Sequence, residues 1–127
     1  MNKGKRITGT LLCRAGVDRL AFAAHDVGSI ASPSDFAGRM VGHARRAFGG
    51  TVGCERILVA PSGEAVGVDA LEIDPEPLTV LPPPALLHQV AGRSLRGFIQ
   101  VRGELWPVLT LSRFGCYLAH VMREEGV

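Results

Sequence analysis

The chain has 127 residues, a formal net charge of +2 at pH 7 and 46% apolar residues. This length predicts one domain, or two small halves that share a core. The small net charge gives no support to nucleic-acid binding. No apolar run approaches the roughly 20 residues that are needed to cross a bilayer.

The beginning of the chain lacks the features of a secretion signal. The basic segment Met1–Arg6 is followed by Ile7–Arg14, which has no long apolar stretch and no small-residue cleavage site. Cys13, Cys54 and Cys116 are far apart and form no CxxC pair. This spacing favours reduced thiols over a disulfide framework or a zinc site. We therefore expect a cytoplasmic protein without membrane insertion.

The first quarter of the chain predicts short strands. Residues 1–5 are expected to form a loose tail. Arg6–Arg14 is rich in β-forming residues, residues 15–18 supply a turn, and Arg19–Ala24 forms the returning strand. Val27–Ala31 predicts one further short strand.

The apolar period changes after residue 31. Ser32 suits a helix N-cap and Pro33 suits the first helical position. Apolar residues then recur at spacings of three and four until Gly49–Gly50, and most basic residues lie off that stripe. The pattern predicts an amphipathic helix over residues 34–48. Its arginines are either solvated or form a docking surface for an anionic partner.

Short strands divided by glycine and proline turns are predicted between residues 55 and 90. In chain order they are strands over Glu55–Ala60 and Glu64–Asp69, an extended segment over Ala70–Ile73, a connection at Asp74–Pro77, a strand over Leu78–Leu81, a stop at Pro82–Pro84 and a helical turn over Ala85–Val90. The final predicted element is a helix over residues 112–124, capped by Ser112.

A hairpin is predicted over Ser94–Leu111, with its turn at Arg102–Glu104, because glycine readily adopts the positive φ of a tight turn. Pro107 cannot donate to a ladder, which predicts an edge strand or an amide that points outward. Two faces alternate along the returning strand. One carries Leu105, Pro107, Leu109 and Leu111, and the other carries Trp106, Val108 and Thr110. Trp106 is therefore either core or part of an outer apolar patch.

A faint internal repeat relates residues 11–27 to residues 57–71. Each copy predicts a strand, a glycine turn, a second strand and a bend into a third, which indicates two related half-barrels packed on each other. The second copy continues into the hairpin. The predicted helix stands where the first copy would have its own hairpin.

No catalytic constellation is found in the sequence. None of the four histidines has metal-ligand spacing to another ligand, and His25 is not oriented by Asp26 merely because the two are adjacent. The acidic run from Asp69 to Glu76 favours a solvated bend over an oxygen-ligand metal site. Phosphate-binding glycine motifs are absent, so no cofactor is expected.

The second half of the chain resembles the CheW-like family of chemotaxis coupling proteins. The matching segments are Arg56–Val59, Val66–Ile73, Leu78 with Pro82–Pro84, Arg96–Ile99, Arg102–Gly103 and Leu105–Leu111. The resemblance implies a mainly β fold of two small SH3-like barrels with a C-terminal helix. It also implies a non-enzymatic adaptor that binds the tip of a methyl-accepting chemotaxis receptor between the barrels, and a CheA-type histidine kinase through barrel ends.

The first half departs from the family pattern, because the family's glycine- and arginine-containing hairpin is missing there. We therefore expect a single domain over residues 1–127 with an incomplete first subdomain over 6–54, including the helix 34–48. A second subdomain is expected over 55–111, followed by the helix 112–124. Kinase contact should be weakened. An open sheet edge is able to pair with another chain, including a second copy or another CheW-like protein.

The candidate partner-binding patch consists of Arg96, Phe98, Gln100, Arg102, Trp106 and Val108. Two other classes of function remain as alternatives. A nucleic-acid-binding barrel would use Arg39, Arg45, Arg46, Arg93, Arg96 and Arg102, interleaved with aromatic residues. An enzyme would have to use residues such as His25, Asp69 and Glu72.

Overall fold

The computed structural model describes residues 5–87 and 93–124. In these ranges nine strands alternate with short connections and precede one α-helix. The strands are β1 (Lys5–Ala15), β2 (Asp18–Ala23), β3 (Ser29–Ala31), β4 (Gly42–His43), β5 (Arg56–Val59), β6 (Ala65–Val68), β7 (Ala70–Val80), β8 (Leu95–Val101) and β9 (Glu104–Leu109), and the helix is α1 (Leu111–Glu124). Four 3₁₀ segments cover Ala24–Asp26, Pro33–Phe36, Ala44–Phe48 and Ala85–Leu87.

Five strands form a barrel in the order β7-β1-β2-β9-β8. All neighbouring pairs are antiparallel except β2 and β9, which are parallel. The barrel closes just after β7, where Leu81 and Phe98 donate backbone hydrogen bonds to each other at 2.8 and 2.9 Å. At Gly97 a side chain would overlap the Leu81 carbonyl oxygen, so this closure requires glycine.

The other four strands form an open sheet in the order β3-β5-β6-β4. Two cores result. One fills the barrel and consists of Ile7, Leu12, Ala21, Ala23, Val80, Ile99, Val101, Trp106 and Val108. The second lies between the barrel, the open sheet and α1, and includes Leu11, Leu20, Phe22, Leu58, Val66, Leu109, Phe114 and Leu118. The two units therefore share a core.

The predicted internal repeat is present as a structural repeat. The hairpins β1–β2 and β5–β6 lie in different units, and the strand after each hairpin crosses to the other unit as β3 or β7. β9 runs parallel to β2, as β4 runs parallel to β6. The open sheet has no described strand in the position that β8 occupies in the barrel. The connection from Ala31 to Gly42 lies at that point of the repeat.

The predicted helix over residues 34–48 is wrong. Ser32 does begin a turn, and its backbone N–H and hydroxyl both donate to the Asp35 carboxylate, at 3.4 and 2.9 Å. The turn ends at Phe36, and Gly38 has a positive φ of 81°. Gly42 then lies in β4, where a Cβ would come within 2.6 Å of Leu118 Cβ. These glycines serve a turn and a close packing contact, which a continuous helix cannot provide.

The predicted division into subdomains 6–54 and 55–111 is also wrong. Strands from both ends of the chain build the barrel, and the middle of the chain builds the open sheet. β7 runs unbroken through the predicted connection at Asp74–Pro77, because a register shift opposite Thr8–Thr10 accommodates Pro75 and Glu76. β1 begins at Lys5, which the sequence placed in the tail, and residues 1–4 lie outside the described part of the chain.

Most predicted strands are confirmed within two residues of their ends, and so is the C-terminal helix. The hairpin turn has only two residues, since Val101 pairs with Glu104 and both Arg102 and Gly103 have positive φ. Of the predicted helical turn over 85–90, the first three residues are 3₁₀ and residues 88–90 lie outside the described part of the chain. The alternative that Pro107 lies in an edge strand is wrong, because β9 lies between β2 and β8. Pro107 lies just before Val108 and Leu109, the two residues of β9 that pair with β2.

Candidate functional site

The β8–β9 hairpin has an inner and an outer face, and the candidate patch is divided between them. Trp106 pairs with Ile99 across the hairpin, and both side chains point into the barrel. Trp106 is 3% exposed and Val108 is fully buried. Neither side chain is able to contact a partner, so both are removed from the candidate patch. The alternative that Trp106 belongs to the core is the correct one.

Trp106 closes one end of the barrel together with charged residues. The guanidinium groups of Arg14 and Arg19 lie 5.4 and 5.8 Å from the centre of its ring. Arg19 also donates to Glu104 at 2.8 Å. The β1–β2 and β8–β9 turns meet at this end, since β2 and β9 are parallel and each begins after its turn. These contacts are cation–π and ionic caps on the barrel core.

The outer face of the hairpin carries apolar side chains, of which Leu105 is exposed and Phe98 is half-buried against the shared core. Phe98 pairs with Pro107 and Gln100 pairs with Leu105, while Leu81 bridges to Phe98 from the other side. Cross-strand partners share one face of a sheet, so these five side chains are neighbours. We call Leu81, Phe98, Gln100, Leu105 and Pro107 the outer-face patch. Leu81 is 53% exposed and Leu105 is 51% exposed, so the patch presents apolar surface to solvent.

The two arginines of the predicted patch lie at its borders and are engaged in ion pairs. Arg102 Nη2 lies 3.0 Å from Glu72 Oε1, which ties the hairpin turn to β7. Arg96 Nη1 lies 3.2 Å from Asp26 Oδ2, which ties β8 to the segment that follows β2. Arg102 remains largely exposed, whereas Arg96 is half-buried. Both arginines connect strands that are distant in sequence, and Arg102 is still accessible to a partner.

A groove of about 710 Å³ runs between α1 and the β5–β6 turn. The turn contributes Ser62 and Glu64, and Arg93 completes the lining. α1 contributes Ser112, Arg113, Cys116, Tyr117 and His120. The groove lies where the barrel meets the open sheet. The β5–β6 turn belongs to the open sheet, and Arg93 directly precedes β8 of the barrel. It is a concave, mixed polar surface beside the shared core.

The residues that would serve an enzyme are engaged in structural contacts. Arg45 donates to both carboxylate oxygens of Asp69 at 2.9 and 3.0 Å, and the Gly16 N–H donates to the same carboxylate. The Arg45 guanidinium, aided by the Gly16 amide, lowers the pKa of Asp69. His25 Nε2 does contact Asp26 Oδ1 at 3.2 Å, but Asp26 also binds Arg96.

The described residues contain no group of three His, Cys, Asp or Glu side chains that could hold a metal ion. The three cysteines differ in exposure: Cys13 is buried, Cys54 is half-buried and Cys116 is exposed. Burial raises the pKa of the Cys13 thiol to about 12 and also raises the pKa of Cys54. The thiolate is the reactive form, so neither thiol is an activated nucleophile at neutral pH.

Sequence reasoning missed Leu105 and Pro107 as surface residues, because both faces of their strand are apolar. It also missed Leu81, which reaches the patch from the end of β7. It also missed the groove, whose lining residues come from distant parts of the chain.

Within residues 5–87 and 93–124, no helix is long and apolar enough to span a bilayer.

Comparison with known proteins gives a likeness of fold. No protein-family model matches the chain, and no curated protein matches its sequence. Among solved structures, the scaffolding protein TtCheW from Thermoanaerobacter tengcongensis is similar, with a TM-score of 0.58 and 17% sequence identity. The match covers 83% of this chain and 90% of that chain. The chain therefore has a CheW-like fold, mainly β with a C-terminal helix.

Proposed function

We propose that this protein is a non-catalytic adaptor of a bacterial chemosensory system, and that it binds the cytoplasmic tip of a methyl-accepting chemotaxis receptor. The observation that carries the proposal is the CheW-like fold, which it shares with a scaffolding protein over most of both chains. Such an adaptor acts in the cytoplasm and works by geometry, because it sets the spacing of the proteins that it joins.

The outer-face patch and the groove are the surfaces that suit such a partner. A receptor tip is a hairpin of helices, and a helix docks by laying an apolar stripe against an apolar surface. Leu81 and Leu105 supply exposed apolar area, and Arg102 offers a cation at the border. The groove beside α1 gives the helix a concave path between the two units.

The proposal places receptor binding on the barrel and expects weak kinase binding. The barrel has all five strands, whereas the open sheet has no described counterpart of β8. A partner that uses the end of the second unit would therefore meet an altered surface. We expect CheA-type kinase domains, or another CheW-like protein, to bind less tightly than the receptor.

The arrangement of the arginines favours an adaptor over a nucleic-acid-binding protein. Of the six arginines considered for that role, Arg45, Arg96 and Arg102 each pair with a carboxylate. Arg39 stacks on Phe36 at 5.3 Å. Trp106 is unavailable for base stacking because it lies inside the barrel.

Calorimetry with two partners tests the proposal. The protein is titrated with a receptor-tip fragment and, separately, with the regulatory domain of the kinase from the same organism. Binding of the receptor alone is the expected result. Equal binding of both would contradict the expected loss of kinase contact, and binding of neither would remove the adaptor function. A gel shift with single-stranded RNA at low salt tests the alternative directly.

A further inference from the structure

β3 forms an unprotected edge of the open sheet. It pairs with β5 on one side, and no other described strand pairs with its second side. The segment from Val27 to Ser34 contains no charged residue. Ile30, in the middle of β3, is 43% exposed. Unpaired backbone groups beside an exposed apolar residue make a template for another strand.

The outer edge of β7 shows how this chain protects an edge that stays unpaired. Pro75 and Pro77 interrupt the line of donors, and Glu76 beside them is exposed. The Asp74 carboxylate accepts from the Glu76 N–H at 2.9 Å, which shapes the backbone there. Proline and charge are the usual devices against strand pairing. β3 has neither within its own length.

The internal repeat indicates how an additional strand would run. In the barrel, β8 lies between β9 and the end of β7 and is antiparallel to both. The corresponding place in the open sheet lies beside β3. A strand there would therefore run antiparallel to β3. Antiparallel pairing of a strand with its own copy is the arrangement that a two-fold axis produces.

We propose that β3 pairs with β3 of a second copy of this chain, with Ile30 on the two-fold axis. The two open sheets then form one continuous eight-stranded sheet. Ile30 faces Ile30 of the other copy at the close Cβ distance of directly opposed residues, about 4.5 to 5.5 Å. The uncharged segment brings no like charges together across the axis, which is why a second copy fits this edge. This proposal is independent of the proposed function.

The interface is small, because β3 has three residues. Interfaces that bury so little surface are weak and transient. We therefore expect a monomer–dimer equilibrium within concentrations of about 1 µM to about 1 mM. Sedimentation velocity over this range should show the weight-average sedimentation coefficient rising with concentration toward the value of a dimer.

Opposite charges on the axis test the register. The variants Ile30→Glu and Ile30→Lys should each be monomeric, because two like charges would meet at the axis. An equimolar mixture of the two should recover the dimer. Recovery on mixing also shows that each variant is folded. Val17→Lys is the matched control, since Val17 is 89% exposed on the β1–β2 turn and should leave association unchanged.

A wild-type protein that stays monomeric up to about 1 mM would overturn the proposal. So would a dimer that survives both Ile30 variants, since its interface would then lie elsewhere. If each Ile30 variant is monomeric and the mixture stays monomeric, the axis does not pass through Ile30 and the stated register is wrong.

Discussion

Trp106 is the largest side chain in the barrel core. Its ring is buried, and no acceptor among the described residues lies within hydrogen-bonding distance of Nε1. The side chain therefore stabilises the barrel through packing and through the two guanidinium groups above it. We expect Trp106→Phe to lower the free energy of unfolding by about 1 kcal/mol and Trp106→Ala by about 3–5 kcal/mol.

Chemical denaturation followed by circular dichroism measures both variants, since Trp106 is the chain's single tryptophan and fluorescence would be lost. An Ala variant as stable as the Phe variant would contradict the assignment of Trp106 to the core.

The Arg45–Asp69 ion pair should make stability depend on pH on the acid side. The folded-state pKa of Asp69 lies below its ordinary value of 3.8, mainly because of the Arg45 guanidinium. The ionised carboxylate therefore stabilises the fold above pH 4, and this contribution is lost as the pH falls through the folded-state pKa. We expect Asp69→Asn to be less stable than wild type at pH 7.

The difference in melting temperature between wild type and Asp69→Asn should shrink steadily below about pH 4, where the wild-type carboxyl is protonated as well. A difference that stays constant from pH 7 to pH 2 would show that the carboxylate charge contributes nothing.

The three thiols should react with a thiol reagent in the order of their exposure. Cys116 is exposed, Cys54 is half-buried with a raised pKa, and Cys13 is buried with a pKa near 12. At pH 8 we expect Cys116 to be labelled first, Cys54 at least tenfold more slowly and Cys13 only on unfolding, because reaction requires an accessible thiolate. Mass spectrometry of timed samples measures this order. Early labelling of Cys13 would contradict its place in the shared core.

At the scale of elements, barrel closure depends on the contact between Leu81 and β8. A side chain at residue 97 would collide with the Leu81 carbonyl oxygen, which is backbone and cannot rotate away. We expect Gly97→Ala to cost about 2 kcal/mol or more, as overpacking of a core does. The Leu81 and Phe98 amides should lose their protection from hydrogen exchange. Gln100→Ala, at an exposed position of the same strand, should leave both properties unchanged.

The hairpin and the helix α1 could be predicted because their signals are local. Gly103 at the turn and the strict alternation around Trp106 define the hairpin within some fifteen residues. The outward-facing side could not be decided from this segment alone. Both faces are apolar, and burial depends on closure against β2 and β7, which are far away in sequence.

The helix over 34–48 was a false signal for a physical reason. Apolar spacing favoured it, but Gly38 and Gly42 together cost about 2 kcal/mol in a helix relative to alanine. Gly42 leaves the space that Leu118 of α1 occupies, a contact across 76 residues that no local pattern reveals. The exchange of strands between the two units was hidden in the same way, since β3 and β7 cross between units.

At the scale of the whole molecule, the two units are related by a structural repeat but differ in completeness. Among the described residues, the barrel has five strands and closes, whereas the open sheet has four and ends at β3 and β4. The CheW-like fold is therefore built here from two units whose described strands differ in number by one. This difference underlies both proposals, receptor binding by the barrel and self-association through β3.

The central claim is that the outer-face patch of the barrel binds a receptor tip. Titration calorimetry of wild type, Leu105→Glu and Met40→Glu with a receptor-tip fragment tests it most directly. Both residues are exposed, at 51% and 59%, but Leu105 belongs to the barrel hairpin, whereas Met40 lies in the connection that leads into β4 of the open sheet. We expect Leu105→Glu to weaken binding at least about tenfold, as for an anchor residue, and Met40→Glu to match wild type. Unchanged binding by Leu105→Glu, with wild type binding measurably, would contradict the claim.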